Sequence, residues 1–178
     1  MTDYSYLEEG VSPTDPKQLR IMKRLANHLA KTPGYEPLKI FRGKGTITAK
    51  EAEDCVSILE APRALFGDAA GWGNIKRSEQ WSLLVQGWPK DDPLNPSDPA
   101  YVLKAAVEKQ LAAIVANEDA HGRNRSDPLY LLGRDCASIE IGQGIVRPVS
   151  QEQGNSRLAE FFIPLLLEVQ TDKLNPSK

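Results

Sequence analysis

The sequence predicts an α+β fold: a mostly antiparallel, twisted sheet of about four to five strands with two main helices packed on one face. Three observations predict it. Two segments repeat apolar residues at helical spacings of three and four, while others alternate or run apolar as strands do. The elements follow in the order helix, two or three strands, helix, two strands. The links between consecutive strands are short, which favours antiparallel neighbours. A chain of 178 residues is long enough for one ordinary domain to bury roughly 70% of its unfolded surface, so its core needs no disulfide or metal.

Residues 1–15 are polar, with Tyr4, Tyr6 and Leu7 as anchors, and read as a loosely held N-terminal arm; docking onto a neighbouring subunit is the alternative. The single domain spans 16–170. Its first helix starts near Pro16, with Asp15 as N-cap and proline in the first helical position. Leu19, Met22, Leu25, Ala26 and Leu29 form the apolar face, and Thr32-Pro33-Gly34 stops the helix. Leu38–Phe41 and Gly45–Thr48 read as a strand and turn. Cys55–Leu59 is β-branched and apolar, a strand closed by Pro62. Leu65–Lys76 holds Gly67, Gly71 and Gly73 and reads as a loop or hairpin tip.

Trp81–Trp88 is the strongest central strand, closed by Pro89. Four prolines then punctuate a loop that resists helix and sheet. The second helix has Asp98 as N-cap and Pro99 as first residue. Leu103, Ala106, Val107, Leu111, Ile114 and Val115 form its stripe, with Lys104, Glu108, Lys109 and Glu118 outward. Residues 119–135 link to a late strand, Cys136–Ile141, that bends or bulges at Gly142 and Gly144 and continues from Ile145. Leu158–Val169 is the final strand, in which Pro164 marks a sheet edge or a bulge. Residues 171–178 are a frayed C-terminal tail.

Net charge is −2, from 22 basic and 24 acidic residues, which argues against a dedicated nucleic-acid binder. The longest apolar stretch, Phe161–Leu167, is too short for a membrane span, and the acidic N-terminus carries no signal pattern. Cys55 and Cys136 have no spacing motif and fit reduced thiols in a protein made in the cytosol.

Chemical motifs fail one by one. Ile141-Gly-Gln-Gly144-Ile-Val-Arg147 starts like a dinucleotide fingerprint, but Arg147 replaces the third glycine and no helix pattern follows. Gly43-Lys-Gly45-Thr46 lacks the spacing of a phosphate loop. His28 and His121 have no zinc-type partners, and there is no GxSxG elbow. A Cys–His pair stays open, because such partners meet only in space. Glu60 and Glu140 read as solvated strand positions. No catalytic, cofactor-binding or metal-ligating residue is assigned, and the expectation is a protein that is not an enzyme. Trp81 reads as core, Trp88 equally as core or interface, and Trp72 as a further aromatic at the glycine-rich tip. Arg123, Arg125, Arg134, Arg147 and Arg157 interleave with Asp127, Asp135, Glu140, Glu152 and Glu160, as on a solvated face; a basic lining toward DNA is the alternative.

Several strings together resemble the tail terminator (tail completion) proteins of long-tailed bacteriophages. They are Ile58–Arg63, Trp81–Trp88, the loop Asp91–Ala100 running into Tyr101–Val115, Ser138–Ile141 and Phe161–Val169. The resemblance implies a small α+β subunit in a homo-oligomeric ring, typically a hexamer. Such a ring caps the head-proximal end of the tail tube, stops its polymerisation and meets the neck. It implies as partners the tail tube protein, a stopper or head-completion protein, the sheath terminus if the tail is contractile, and genomic DNA passing through the ring without sequence-specific binding. It places the chain in the virion, assembled in the host cytoplasm and away from membranes. A stopper or other neck connector is the alternative, and a small cytosolic enzyme a third. The loops 67–80, 91–98 and 151–157 are the expected contact elements, since heterologous ring contacts suit loops and sheet edges.

Overall fold

The computed structural model describes residues 3–48, 51, 53–61, 76–116, 128–148, 159–172 and 174. Two main helices, α1 (Lys17–Leu29) and α2 (Asp98–Val115), cover one face of a single sheet. The strands are β1 (Lys39–Arg42), β2 (Cys55–Glu60), β3 (Lys76–Trp88), β4 (Ser138–Ile141), β5 (Ile145–Arg147) and β6 (Glu160–Asp172). Their order is β1-β2-β3-β6-β4, with β5 also on β6. The fold is α+β, as the periodicities predict. Six strands stand among the described residues, rather than four to five, because the late edge strand is broken in two.

The break is a one-residue bulge. Ser138–Ile141 face Glu168–Leu165, whereas Ile145–Arg147 face Phe162–Glu160. Gly142, Gln143 and Gly144 therefore oppose only Ile163 and Pro164. This explains a proline in a strand that is central rather than at an edge. In an antiparallel strand the N–H and C=O of one residue point to the same neighbour. The Pro164 carbonyl accepts from Gly142 N at 2.8 Å, so the side of proline that lacks a donor faces the bulge. Gly142 must be small there: a Cβ would lie 2.6 Å from Pro164 Cγ.

Strand β6 alternates as predicted. Phe161, Ile163, Leu165, Leu167 and Val169 are buried beneath the helices, while Pro164 and Gln170 are exposed on the other side. Ile58 of β2 and Trp81, Leu83 and Val85 of β3 extend that core, and Ile21, Leu25, Leu29, Leu103, Val107, Leu111 and Ile114 fill it from the helices. Each such side chain, fully buried, stabilises by about 1.5–3 kcal/mol. Gly87 allows the Phe161 ring to lie over β3; a Cβ would meet the ring at 2.2 Å. At one end β3 and β6 run on together as a two-stranded ribbon, Lys76–Glu79 against Asp172–Val169, beyond the ends of β2 and β4.

Several expectations need correction. β1 and β2 are parallel, because the chain between them crosses back over the far face of β2: Ser57 Oγ donates to the Lys44 carbonyl at 2.7 Å, and Ile47 packs on Cys55 and Trp88. The residue before α1 is Pro16, not Asp15; the Asp15 carboxylate instead accepts from Ser12 N at 2.9 Å and from Lys23 Nζ at 2.6 Å. Ser97 precedes α2, and Asp98 and Pro99 stand within its first turn, where a missing N–H costs nothing. The N-terminal segment is no loose arm: Ser5–Glu8 forms a 3₁₀ turn against α1 that buries Leu7. Thr171 and Asp172, assigned to the tail, are the end of β6. The tip at 65–75, the link 151–157 and most of 119–135 lie outside the described residues.

Candidate functional site

Helix α2 is apolar on both sides. Its inner side buries Ala100, Leu103, Val107, Leu111 and Ile114. Its outer side carries Tyr101, Val102, Ala105, Lys109, Ala112 and Ala113, all exposed. At 3.6 residues per turn these positions fall on one stripe about 120° wide. Exposed Asp98 in the first turn falls on the same stripe, so Asp98 and Lys109 are its two charges. Lys104 and Glu108, expected outward with Lys109, pair with each other at 2.8 Å and lie over Gly144 at the bulge. Leu94 in the preceding proline loop is a further exposed apolar residue, at 88%, with Tyr101 at 59% and Val102 at 61%. The Asp92 carboxylate shapes that loop by accepting from Leu94 N and Asn95 N at 2.9 and 3.2 Å. An exposed helix side normally carries charges, so this one stands out from the strongly amphipathic α1.

The sheet face away from the helices is the second such surface. Its β1 end is closed by a small cluster of Cys55, Trp88, Phe41 and Ile47, which settles Trp88 as core; Trp81 is core as well. Beyond that cluster Leu59, Leu84, Phe162 and Leu166 are half-buried, and Pro164 and Ile145 exposed. Acidic groups rim the row. Glu160 accepts from Gln86 Nε2 at 2.7 Å and pairs with Arg147 at 3.3 Å, Glu168 accepts from Ser78 and Ser138, and Glu140 is exposed at the β4 edge.

The polar groups inside the fold are occupied in holding it together. His28 is 2% exposed. Its Nδ1 lies 3.0 Å from the Tyr6 hydroxyl and its Nε2 2.8 Å from the Gln110 carbonyl. A carbonyl only accepts, so Nε2 carries the proton and Nδ1 accepts from Tyr6. Burial lowers the His28 pKa below its ordinary value, against the pull of the Gln110 carbonyl. The imidazole thus ties the N-terminal turn, α1 and α2 as a neutral group. Its sequence position gave no signal of this, because both partners come from other elements.

Asp135 is the second tie. Its carboxylate accepts from Arg20 Nε and Nη2 at 3.2 and 3.3 Å and from Arg24 Nη1 at 2.7 Å. Arg24 also reaches the Leu132 carbonyl at 3.1 Å and Glu8 at 2.9 Å. These contacts clamp a left-handed turn at Leu131–Arg134, whose φ values are +49°, +55°, +77° and +64°. Left-handed backbone costs roughly 1–2 kcal/mol for each of the three non-glycine residues. The full burial of Leu132 and the guanidinium contacts offset it.

Both cysteines are buried. Burial pushes the Cys55 thiol up to about 11 and the Cys136 thiol, beside Asp135, up to about 12. Neither is a thiolate at neutral pH, as a nucleophile or metal ligand must be. The glycines of the dinucleotide-like string form the bulge, followed by a strand. Lys44 of the phosphate-loop-like string pairs with Glu51 and lies 4.8 Å from the Phe41 ring centroid. Among the described residues no group of three or more His, Cys, Asp and Glu stands where it could hold a metal ion. Glu60 is exposed at the end of β2. Arg134 lies in the left-handed turn, whereas Trp72, His121, Arg123, Arg125, Arg157, Asp127 and Glu152 fall outside the described residues. Of the three expected contact loops, 91–98 is described in full, and 76–80 of the first loop belongs to β3.

Among the described residues, no helix is long and apolar enough to cross a membrane. Comparison with models of protein families finds no match, and comparison with curated proteins finds none.

Proposed function

We propose that this chain is a structural subunit that assembles with copies of itself into a ring, a hexamer in the first instance, at the head-proximal end of a phage tail tube. There it stops tube polymerisation and joins the tail to the neck or stopper protein, with the genome passing through the ring. It works by shape and adhesion and turns over no substrate. The supporting observation is the apolar outer side of α2, where Leu94, Tyr101 and Val102 face solvent in the single chain. A large apolar patch rimmed by polar groups marks a contact surface. The internal tie at His28 fits the same reading, since it fixes α2, which carries that surface, to α1.

The test is native mass measurement of the purified chain, alone and with purified tail tubes. The expected result is a ring-sized species, alone or at tube ends. Single copies under all conditions refute the proposal, and attachment to DNA-filled heads but not to tubes replaces it with a stopper role.

A further inference from the structure

We propose that residues 3–9 form a strap that opens in acid about a joint at Gly10, with His28 as its catch, while the rest of the fold stays closed. The proposal is independent of assembly, since strap and catch lie in one chain.

The strap is lightly held. Of residues 3–10 Leu7 alone is buried, whereas α1 buries Ile21, Met22, Leu25, His28 and Leu29. A segment with few buried apolar contacts opens before the body that carries it. Asn27 Nδ2 donates to the carbonyls of Leu7 and Glu9 at 3.1 and 2.8 Å, and Arg24 pairs with Glu8 at 2.9 Å. Past the strap the chain is fastened again, where the Asp15 carboxylate holds the Ser12 amide and the Lys23 ammonium. Between these two fastenings stands Gly10, with φ at +67°. A Cβ there would meet nothing within 4 Å among the described residues, so the joint turns without disturbing packing.

The catch is built from three elements. Tyr6 lies alongside the imidazole, with ring centroids 6.2 Å and planes 18° apart, and its hydroxyl donates to Nδ1. The Nε2 proton is committed to the Gln110 carbonyl. A second proton therefore has one place to go, Nδ1, which lies against the strap. The cations near it come from α1: Arg24, held by Glu8 and Asp135, and Lys31, 5.9 Å from the Tyr6 ring centroid. The strap brings Glu8, turned to Arg24, and Glu9, which is exposed. Helix α2 brings the Gln110 side-chain amide, 3.4 Å from Nδ1, and the residues one turn from it are Ala106, Val107, Ala113 and Ile114. A proton added under the closed strap meets the Tyr6 hydroxyl and that amide; with the strap lifted it meets water. Burial accordingly lowers the closed-state pKa below the ordinary 6.5. Above 6.5 the ring is neutral in both states and the catch is complete. Below it the open strap takes up a proton that the closed strap refuses, and opening grows by up to about tenfold per pH unit until the closed-state value is passed.

Amide exchange of the full chain, corrected for intrinsic rates and read from about pH 7.5 to 5, tests this. The reporters are the amides of Leu7 and Glu9, which donate to the Tyr4 and Tyr6 carbonyls at 3.0 and 3.2 Å. Their protection should fall by up to about tenfold per pH unit below 6.5, while the amides of Leu25, Leu29, Ile163 and Leu165 do not follow. His28→Gln keeps a donor for the Gln110 carbonyl and does not titrate, so the dependence should vanish. Glu8→Gln should lower strap protection evenly and keep the dependence. Tyr6→Phe, which removes only the hydroxyl at Nδ1, should lower strap protection several-fold at pH 7.5. Equal loss in strap, α1 and β6 overturns the proposal, because the body then unfolds as one. Strap protection that ignores pH, or a dependence that survives in His28→Gln, overturns it by removing the imidazole as catch. A dependence lost in Glu8→Gln overturns it in favour of that carboxylate, and unchanged protection in Tyr6→Phe overturns it too. If His28→Gln does not fold, the wild type, Glu8→Gln and Tyr6→Phe decide.

Discussion

Acidification should loosen this fold through His28, by an amount that the neutral, buried imidazole fixes. Above the ordinary histidine pKa of 6.5 the ring is neutral in the folded and unfolded chain, and its contribution is complete. Burial depresses the folded value. Below 6.5 the unfolded chain therefore takes up a proton that the folded chain refuses, and stability falls until the pH has passed the folded value. The slope approaches about 1.4 kcal/mol per pH unit, the worth of one proton. A charged ring would also present a donor at Nδ1, where the Tyr6 hydroxyl donates and the Gln110 side-chain amide lies 3.4 Å away. The Lys31 ammonium, 5.9 Å from the Tyr6 ring centroid, adds a like charge nearby. Urea unfolding read from about pH 7.5 to 5 measures the effect. With an m-value near the upper end of roughly 1–3 kcal/mol/M, the midpoint drops by about half a molar per pH unit. In His28→Gln the same scan should start from a lower midpoint and run flatter. His121 is common to both proteins and cancels. Parallel lines for the two proteins would refute the assignment of a neutral, buried His28.

Three further outcomes are expected. Gly87→Ala should cost about 1–3 kcal/mol in denaturant unfolding by forcing the Phe161 ring aside; combined with Phe161→Leu it should cost less than the two singles added, and strict additivity would count against that contact. Asp135→Asn should lower stability by about 2–3 kcal/mol, short of the roughly 3–5 for a fully buried pair, because two guanidiniums keep their place without their carboxylate; an unchanged midpoint would mean that the left-handed turn needs no clamp. Cys55 and Cys136 should resist a thiol reagent at neutral pH in the folded protein and react together in denaturant, whereas rapid reaction of either in the folded state would contradict their burial.

The elements were legible in the sequence because each is set by a local period. Leu25 and Leu29, or Phe161 through Val169, announce their faces within a dozen residues. The errors arose where a partner outside the local period decides. Asp15 has the chemistry of an N-cap, but Lys23 and the Ser12 amide claim its carboxylate. Pro164 correctly signalled a bulge, and pairing with both β3 and β4 makes β6 central. Parallel β1 and β2 left no trace in either strand, since the cause is the path of the chain between them. The candidate surface was half-legible. The stripe of Leu103 and Val107 was read from the period, yet the exposure of Leu94, Tyr101 and Val102 on the other side is seen only in the structure. The ties at His28 and Asp135 were illegible, because His28–Gln110 and Arg24–Asp135 join residues more than eighty positions apart.

The ribbon formed by Lys76–Glu79 and Val169–Asp172 gives the sheet a grain. Among the described residues, amide hydrogens in the middle of β3 have ladder neighbours on both flanks, whereas those near Lys76 have one, and the Lys17 ammonium donates to the Gln170 carbonyl there at 2.9 Å. Deuterium should enter from this end first and advance toward Leu83 in sequence order. A pulling force on the two strands there would peel the pair bond by bond, while the same force at the Trp88 end would act where β2 and β5 also hold the strands.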